Sequence, residues 1–274
     1  MEVCQKIRKV FLFNLFSLFI HLFFKWQPMF SYARPALAGW RIAQIRCRFY
    51  LTSNTTMNDY INITCEDNME LMARYPDNHF DLAIVDPPYG ISIDKHANHG
   101  GGKRPIKVYN KVGKEWDNQP PTKKYFCELK RVSKNQIIWG GNYFLDNLGN
   151  TRCFLIWDKI QEFSGADFEM AWTSFDKASK SFRKSRVEFH NESRKIHPTQ
   201  KAISLYQWIL TNYAKEGYKI LDTHIGSGSI AIAIDSVNKI EKMNLTLTGC
   251  EIDTEYYEKA MERIKAKTSW SSLF

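Results

Sequence analysis

From residue 57 onward, short continuous apolar runs alternate with stretches of helical period, which is the pattern of an α/β chain with a sheet covered on both faces. Strands are expected over Ile61–Cys65, Phe80–Val85, Gln136–Trp139, Cys153–Trp157, Phe168–Phe175, Lys219–Asp222 and Leu245–Glu251. Helices are expected over Asn68–Tyr75, where Met69, Met72 and Ala73 share a face, and over Thr122–Val132, Lys201–Ala214, Ile230–Val237 and Thr254–Lys267. The run Leu82-Ala83-Ile84-Val85 has no polar position to turn toward water, so it reads as a strand buried on both faces. It stops at Asp86-Pro87-Pro88-Tyr89-Gly90, a stiff loop at the strand end where ligands of open α/β sheets bind.

The first 56 residues break this pattern. Lys6, Arg8 and Lys9 precede the apolar run Val10–Phe24, and Ala36-Leu37-Ala38 follows, an arrangement that resembles a secretory signal. The run falls short of the ~20 residues of a spanning helix. Residues 1–56 are therefore read as an extension outside the catalytic domain, and a domain starting at Met57, in a cytoplasmic protein without a stable membrane partner, is expected. Charge supports the division. The net charge is +9, and residues 1–56 carry eight Lys or Arg against Glu2 alone. The basic residues that remain concentrate in 103–134 and 177–195, where they can meet phosphates or simply be solvated. Six scattered cysteines without a C-x-x-C pair suggest neither a disulfide framework nor zinc, and His96 and His99 lack companion ligands, so no metal is expected.

The Asp86–Tyr89 loop has the groups that methylation of an exocyclic amine requires. Such an amine is a poor nucleophile because its lone pair is delocalised into the ring, and two acceptors on its hydrogens draw the nitrogen out of plane. Asp86 supplies a carboxylate and Pro87 a carbonyl. The prolines have no N–H and hold φ fixed, so the loop presents acceptors only. Tyr89 offers a flat face on which a base taken out of the duplex can stack. Beyond Gly90, residues 91–121 form a long polar, Gly- and Lys-rich stretch, expected to be a mobile flap beside this loop.

The C-terminal part reads as a second α/β half. Asp222 ends a strand, Gly226-Ser227-Gly228 turns the chain into a helix, and Glu251 ends the next strand. This is how a nucleotide-like cofactor is held: the glycines let the backbone approach and the acid accepts from ribose hydroxyls. The same G-x-G-x-x-A spacing fits NAD. Asp67, just past the first strand, either caps the following helix or accepts from a bound adenine.

Taken together and in this order, the motifs resemble the amino-group DNA methyltransferases of the β arrangement, from about Met57 to about Lys267. Trp139-Gly140-Gly141-Asn142-Tyr143-Phe144 and Trp157-Asp158-Lys159 resemble phage-type members. The resemblance implies a Rossmann-like fold permuted in sequence, with the catalytic half first, the cofactor turn last and a target-recognition insert at about 158–196. It implies Asp86, Pro87, Pro88 and Tyr89 as the catalytic loop, Asp67 on the cofactor adenine, and Asp222, Gly226, Ser227 and Gly228 at the methionine end. Glu251 would bind the ribose, and His197, Thr199 and Lys201 of His197-Pro198-Thr199-Gln200-Lys201 would wall the pocket. The implied cofactor is S-adenosylmethionine, the implied substrate double-stranded DNA, and the implied product N6-methyladenine, with N4-methylcytosine or a catalytically impaired DNA-binding relative as alternatives and a restriction endonuclease as a possible partner. Two positions depart from the family pattern: Thr223-His224 stands where Pro-Phe is usual, and Ala202 where Pro is frequent.

Overall fold

The computed structural model describes residues 59–91, 119–160, 166–185, 188–189, 192, 195–197 and 199–269. The expectations for 1–56, for most of the flap at 91–121, and for His96 and His99 lie outside these residues. Among the described residues, no helix is long and apolar enough to cross a membrane.

Eight strands form one sheet: β1 (Ile61–Cys65), β2 (Leu82–Val85), β3 (Gln136–Trp139), β4 (Phe154–Asp158), β5 (Phe168–Thr173), β6 (Lys180–Arg183), β7 (Lys219–Asp222) and β8 (Thr246–Glu251). Their spatial order is β1-β8-β7-β2-β3-β5-β4-β6. The pairs from β1 through β3 are parallel, β5 runs antiparallel to both β3 and β4, and β6 is parallel to β4. The helices are α1 (Asn68–Ala73), α2 (Lys123–Val132), α3 (Leu145–Leu148), α4 (Ile203–Tyr213), α5 (Ser229–Glu241) and α6 (Thr254–Ser269). This is the α/β Rossmann-like, sequence-permuted sheet expected.

Alternation along β2 explains the two-sided core. Leu82 and Ile84 pack with Ile137, Trp139, Leu155 and the buried faces of α4, α5 and α6. Ala83 and Val85 pack on the opposite face with α1, with Tyr125, Phe126 and Leu129 of α2, and with Leu221 and Cys250. Successive side chains of a strand point to opposite faces, so a central strand needs apolar residues at every position to satisfy both layers.

The chain leaves β2 toward β3 on one side and leaves β7 toward β8 on the other. Strand order therefore reverses between β7 and β2, and a crevice opens there at the carboxyl ends of the strands. Lys180–Arg183, within the basic stretch 177–195, forms an edge strand that the sequence pattern did not predict. Phe182 packs on Trp208 at 5.8 Å while Lys180 and Arg183 face outward, and such charges on an edge strand discourage pairing with another chain.

Candidate active site

Strand parity gathers the catalytic end of the site. Asp86 follows Leu82 and Ile84 in the alternation and so falls on the α4 side of the sheet, where the chain entering α4 delivers Lys201. The Lys201 ammonium lies 2.8 Å from Asp86 Oδ2 and 2.9 Å from Glu169 Oε2, with its side chain only 2% exposed. It also donates to the Tyr89 hydroxyl at 3.4 Å and lies over the Trp139 ring. Glu169 has the same parity in β5 as Ala171, which packs on this face, and it receives a second ammonium from Lys159 at 2.8 Å. Tyr89 donates its hydroxyl to Asp86 Oδ1 at 2.7 Å, and burial beside two carboxylates keeps that phenol protonated. Burial raises the Asp86 carboxyl above its usual range, with Lys201 opposing and Glu169 adding to the rise. Burial works in the same direction on Glu169, but Lys201 and Lys159 outweigh it and hold Glu169 down at about 2.

The Tyr89 ring stacks on Tyr143 at 5.0 Å with 18° between planes, and Tyr143 is half exposed. Gly140 is what admits Tyr89. Its φ is +66°, and an added Cβ would run into the Tyr89 ring.

The glycine turn lies next door, at the end of β7. Gly226 and Gly228 have φ of +52° and +71°, and a Cβ on Gly228 would come within 2.7 Å of Ile264. Glu251 bridges the turn by accepting from Gly226 N–H at 2.9 Å and from Asp253 N–H at 3.0 Å, and it lines the cavity. A carboxylate has about four acceptor positions, so further donors can bind. The turn is braced from behind by Arg263, which donates to the Ser227 carbonyl at 2.6 Å.

One cavity of about 290 Å³ joins the two halves. Its wall includes Asp86, Pro88 and Lys201 at one end, and Gly226, Ser227 and Glu251 at the other. His197 and Thr199 also line it. The His197 ring meets Tyr256 edge-on at 4.3 Å, and its Nδ1 lies 3.1 Å from Thr199 Oγ1.

Of the residues expected at the cofactor, Asp67 and Asp222 are not in the cavity lining, and Lys201 is. Asp67 does not line the cavity. Its carboxylate caps α1, accepting from Met69 N–H at 2.7 Å and Glu70 N–H at 3.4 Å, while its neighbours Glu66 and Asn68 line the wall. Lys201 is a cavity residue, but its ammonium is committed to Asp86 and Glu169. Asp222 is buried behind the wall, accepting from His224 N–H at 2.9 Å, and burial raises its carboxyl to about 8. Sequence reasoning missed Glu169, Lys159 and Arg263; period-two parity in β5 was the signal for Glu169.

A family model described as DNA methylase matches residues 170–262. Type II methyltransferase M.HpaI of Haemophilus parainfluenzae is 24% identical to this chain, over 75% of this chain and 74% of the relative. Type II methyltransferase M.HinfI of Haemophilus influenzae is likewise 24% identical, over 76% and 70%. The chain is thus similar to DNA methyltransferases of the N6/N4 family. Among solved structures, the PvuII DNA methyltransferase, described as cytosine-N4-specific, aligns with a TM-score of 0.48 at 11% identity, covering 77% of this chain and 92% of that one.

Two outcomes are expected for this methyltransferase relative. Asp67→Ala lowers stability by about 1 kcal/mol, the worth of a helix cap, and leaves cofactor affinity within about twofold; chemical denaturation and calorimetry read the two separately. The Asp222 carboxyl has its folded value raised to about 8, so the stability it permits is fully present below its ordinary value and is lost as pH rises toward 8. Asp222→Asn removes that slope, so the variant gains more in melting temperature over the parent at pH 8 than at pH 5.

Proposed function

We propose that this chain transfers a methyl group from S-adenosylmethionine to the N6 amino group of adenine in duplex DNA. The observation that supports it most is the single cavity reaching from the glycine turn to Asp86, because a direct transfer needs donor site and acceptor loop in one space.

The residues present fit the cofactor. Positive φ at Gly226 brings its backbone against the cavity, Gly228, which is not in the lining, turns the chain into α5 against Ile264, and Glu251 offers acceptors in the wall. His224 is a neutral ring at the wall: burial lowers its imidazolium to about 3. Glu251 would hold the ribose hydroxyls, Gly226 and Ser227 with Asp222 behind them would hold the methionine end, and His197 and Thr199 would wall the pocket. Asn68, a cavity residue where Asp67 is not, is a polar group that could meet the adenine. When bound, the cofactor supplies an electrophilic methyl group.

The chain's own residues prepare the amine. Asp86 accepts one of its hydrogens and the Pro87 carbonyl the other, which localises the nitrogen lone pair. The Asp86 charge also favours the cation that develops on nitrogen. Tyr89 supports the base from one face and, through its hydroxyl, fixes the Asp86 rotamer. Rings 5.0 Å apart leave no space for a third between them, so Tyr143 swings aside, or the base takes the other face of Tyr89. Asp at the first position of the loop favours adenine, since cytosine-N4 enzymes more often carry Ser there.

Asp86→Ala is expected to bind S-adenosylmethionine with unchanged affinity and to transfer no methyl group; turnover in that variant would remove Asp86 from its assigned role. Mass spectrometry of nucleosides from DNA treated with the parent protein is expected to show N6-methyladenine, and N4-methylcytosine in its place would reassign the base. Glu251→Ala is expected to weaken cofactor binding at least tenfold by calorimetry, whereas an unaltered dissociation constant contradicts the ribose assignment.

A further inference from the structure

Four charged side chains of alternating sign run in a line through the catalytic end: Asp86 after β2, Lys201 before α4, Glu169 in β5 and Lys159 after β4. Their contacts are 2.8, 2.9 and 2.8 Å, and all four are largely buried, with side-chain exposures of 11, 2, 26 and 17%. One ammonium would be enough to balance Asp86. Glu169 adds a second negative charge beside that ammonium, and Lys159 restores neutrality from the far side. The charges sum to zero but are shared unequally. Glu169 has two ammonium partners, whereas Asp86 has half of one, together with the Tyr89 hydroxyl.

We propose that Glu169 is a positioning residue for amine methylation: it divides the Lys201 ammonium with Asp86, under the anchoring of Lys159, so that Asp86 is ionised without being fully neutralised. This rests on the role given to Asp86 above and extends it to two residues outside the catalytic loop. A carboxylate fully paired with an ammonium is a weak acceptor, and an unpaired one buried here would take up a proton before the base arrived. As the amine nitrogen forms its bond to the methyl carbon, the carbon–sulfur bond breaks with its electron pair passing to sulfur. The nitrogen then carries an extra positive charge, and one of its protons passes to the Asp86 carboxylate. The unequal sharing keeps Asp86 the more basic of the two acids, in line with the opposite displacements of Asp86 and Glu169 from their ordinary values.

Other groups also act on Asp86: Tyr89 from its own loop, Tyr206 from α4, Tyr125 from α2 and Asp222 from β7. The three phenols are held protonated by burial. Asp222 feels both Asp86 and Lys201, so the reading is taken from the sign of each variant's shift rather than from its size.

The test follows methyl incorporation into unmethylated genomic DNA by the full chain, at saturating S-adenosylmethionine, from pH 5 to pH 9. In Glu169→Gln, Lys201 passes wholly to Asp86, and the acid limb of the rate profile moves down by about one pH unit with a lower plateau. In Lys159→Met, Lys201 is drawn toward Glu169, and the limb moves up. Both variants bind S-adenosylmethionine within twofold of the parent by calorimetry. Limbs that do not move, or that move in the same direction, overturn the assignment. If Glu169→Gln does not fold, Lys159→Met alone decides by the sign of its shift. A parent protein that binds S-adenosylmethionine but transfers no methyl group to DNA overturns the functional reading and this assignment with it, whereas an active parent with unmoved limbs overturns only the assignment.

Discussion

The site depends on the pairing of β2 with β7. Leu82 lies against Ile220 and Ala83 against Leu221, joining segments far apart in the chain. Asp81 secures the start of that pairing. Its N–H donates to the Lys219 carbonyl at 2.9 Å, its carboxylate accepts from Lys219 N–H at 3.0 Å, and Lys134 adds an ammonium at 2.7 Å. With the amino ends fixed in this register, the two strands finish at the same edge of the sheet, where Asp86 follows β2 and Asp222 closes β7. Contacts of such sequence separation cost loop-closure entropy before they return anything. The apolar residues on both faces of β2 and β7 supply the compensating burial.

The same pairing explains why the order of the two halves along the chain does not matter to the site. A sheet records which strands are neighbours, not which was made first. The crevice exists because the connections from β2 and β7 leave in opposite directions, and that holds whichever half comes first. Parity then decides which side chains can meet within the crevice. Asp86, Trp139 and Glu169 come from three strands and share a face because each is an even number of residues from an apolar position packed on α4 and α5. Lys201 reaches them because α4 begins over that face.

Much of this was legible in the sequence, and the reasons differ by element. Gln136–Trp139, Ile61–Cys65 and Lys219–Asp222 were placed to the residue because short apolar runs bounded by polar or turn residues leave little freedom in their ends. The Asp86–Tyr89 loop and the Gly226–Gly228 turn were legible because proline and glycine state backbone requirements directly. Lys180–Arg183 was not, since an edge strand with one apolar residue carries almost no periodic signal. Lys201 was assigned with its motif neighbours His197 and Thr199, which line the cavity, whereas its long side chain reaches past them to Asp86 and Glu169. Glu169 could be found only after the register of β5 was known, because an acid in a strand reads as solvent-facing until parity places it indoors. Asp67 posed a choice between cap and ligand; the structure shows it capping α1 through one carboxylate oxygen and leaves it out of the cavity lining.

Thr223-His224 is the sharpest departure from the family pattern, and its surroundings explain how the pocket accommodates it. Two polar side chains replace a stiff apolar pair, and each finds partners. Thr223 Oγ1 lies 2.7 Å from the Tyr125 hydroxyl and 2.9 Å from His224 Nδ1, and His224 Nε2 lies 3.2 Å from Asn68 Nδ2. Buried hydroxyl and imidazole groups without such bonds would each cost a desolvation penalty; joined in one chain from α2 to α1, they do not. Burial also keeps the imidazole neutral, so the wall gains no positive charge to repel a cationic sulfonium. What the cavity presents at this position is a flat neutral ring, much as an apolar aromatic would, and the chain behind it ties the two helices α1 and α2 to the end of β7. The substitution changes how the wall is supported more than what it offers a ligand, which argues for a working cofactor pocket over an impaired one.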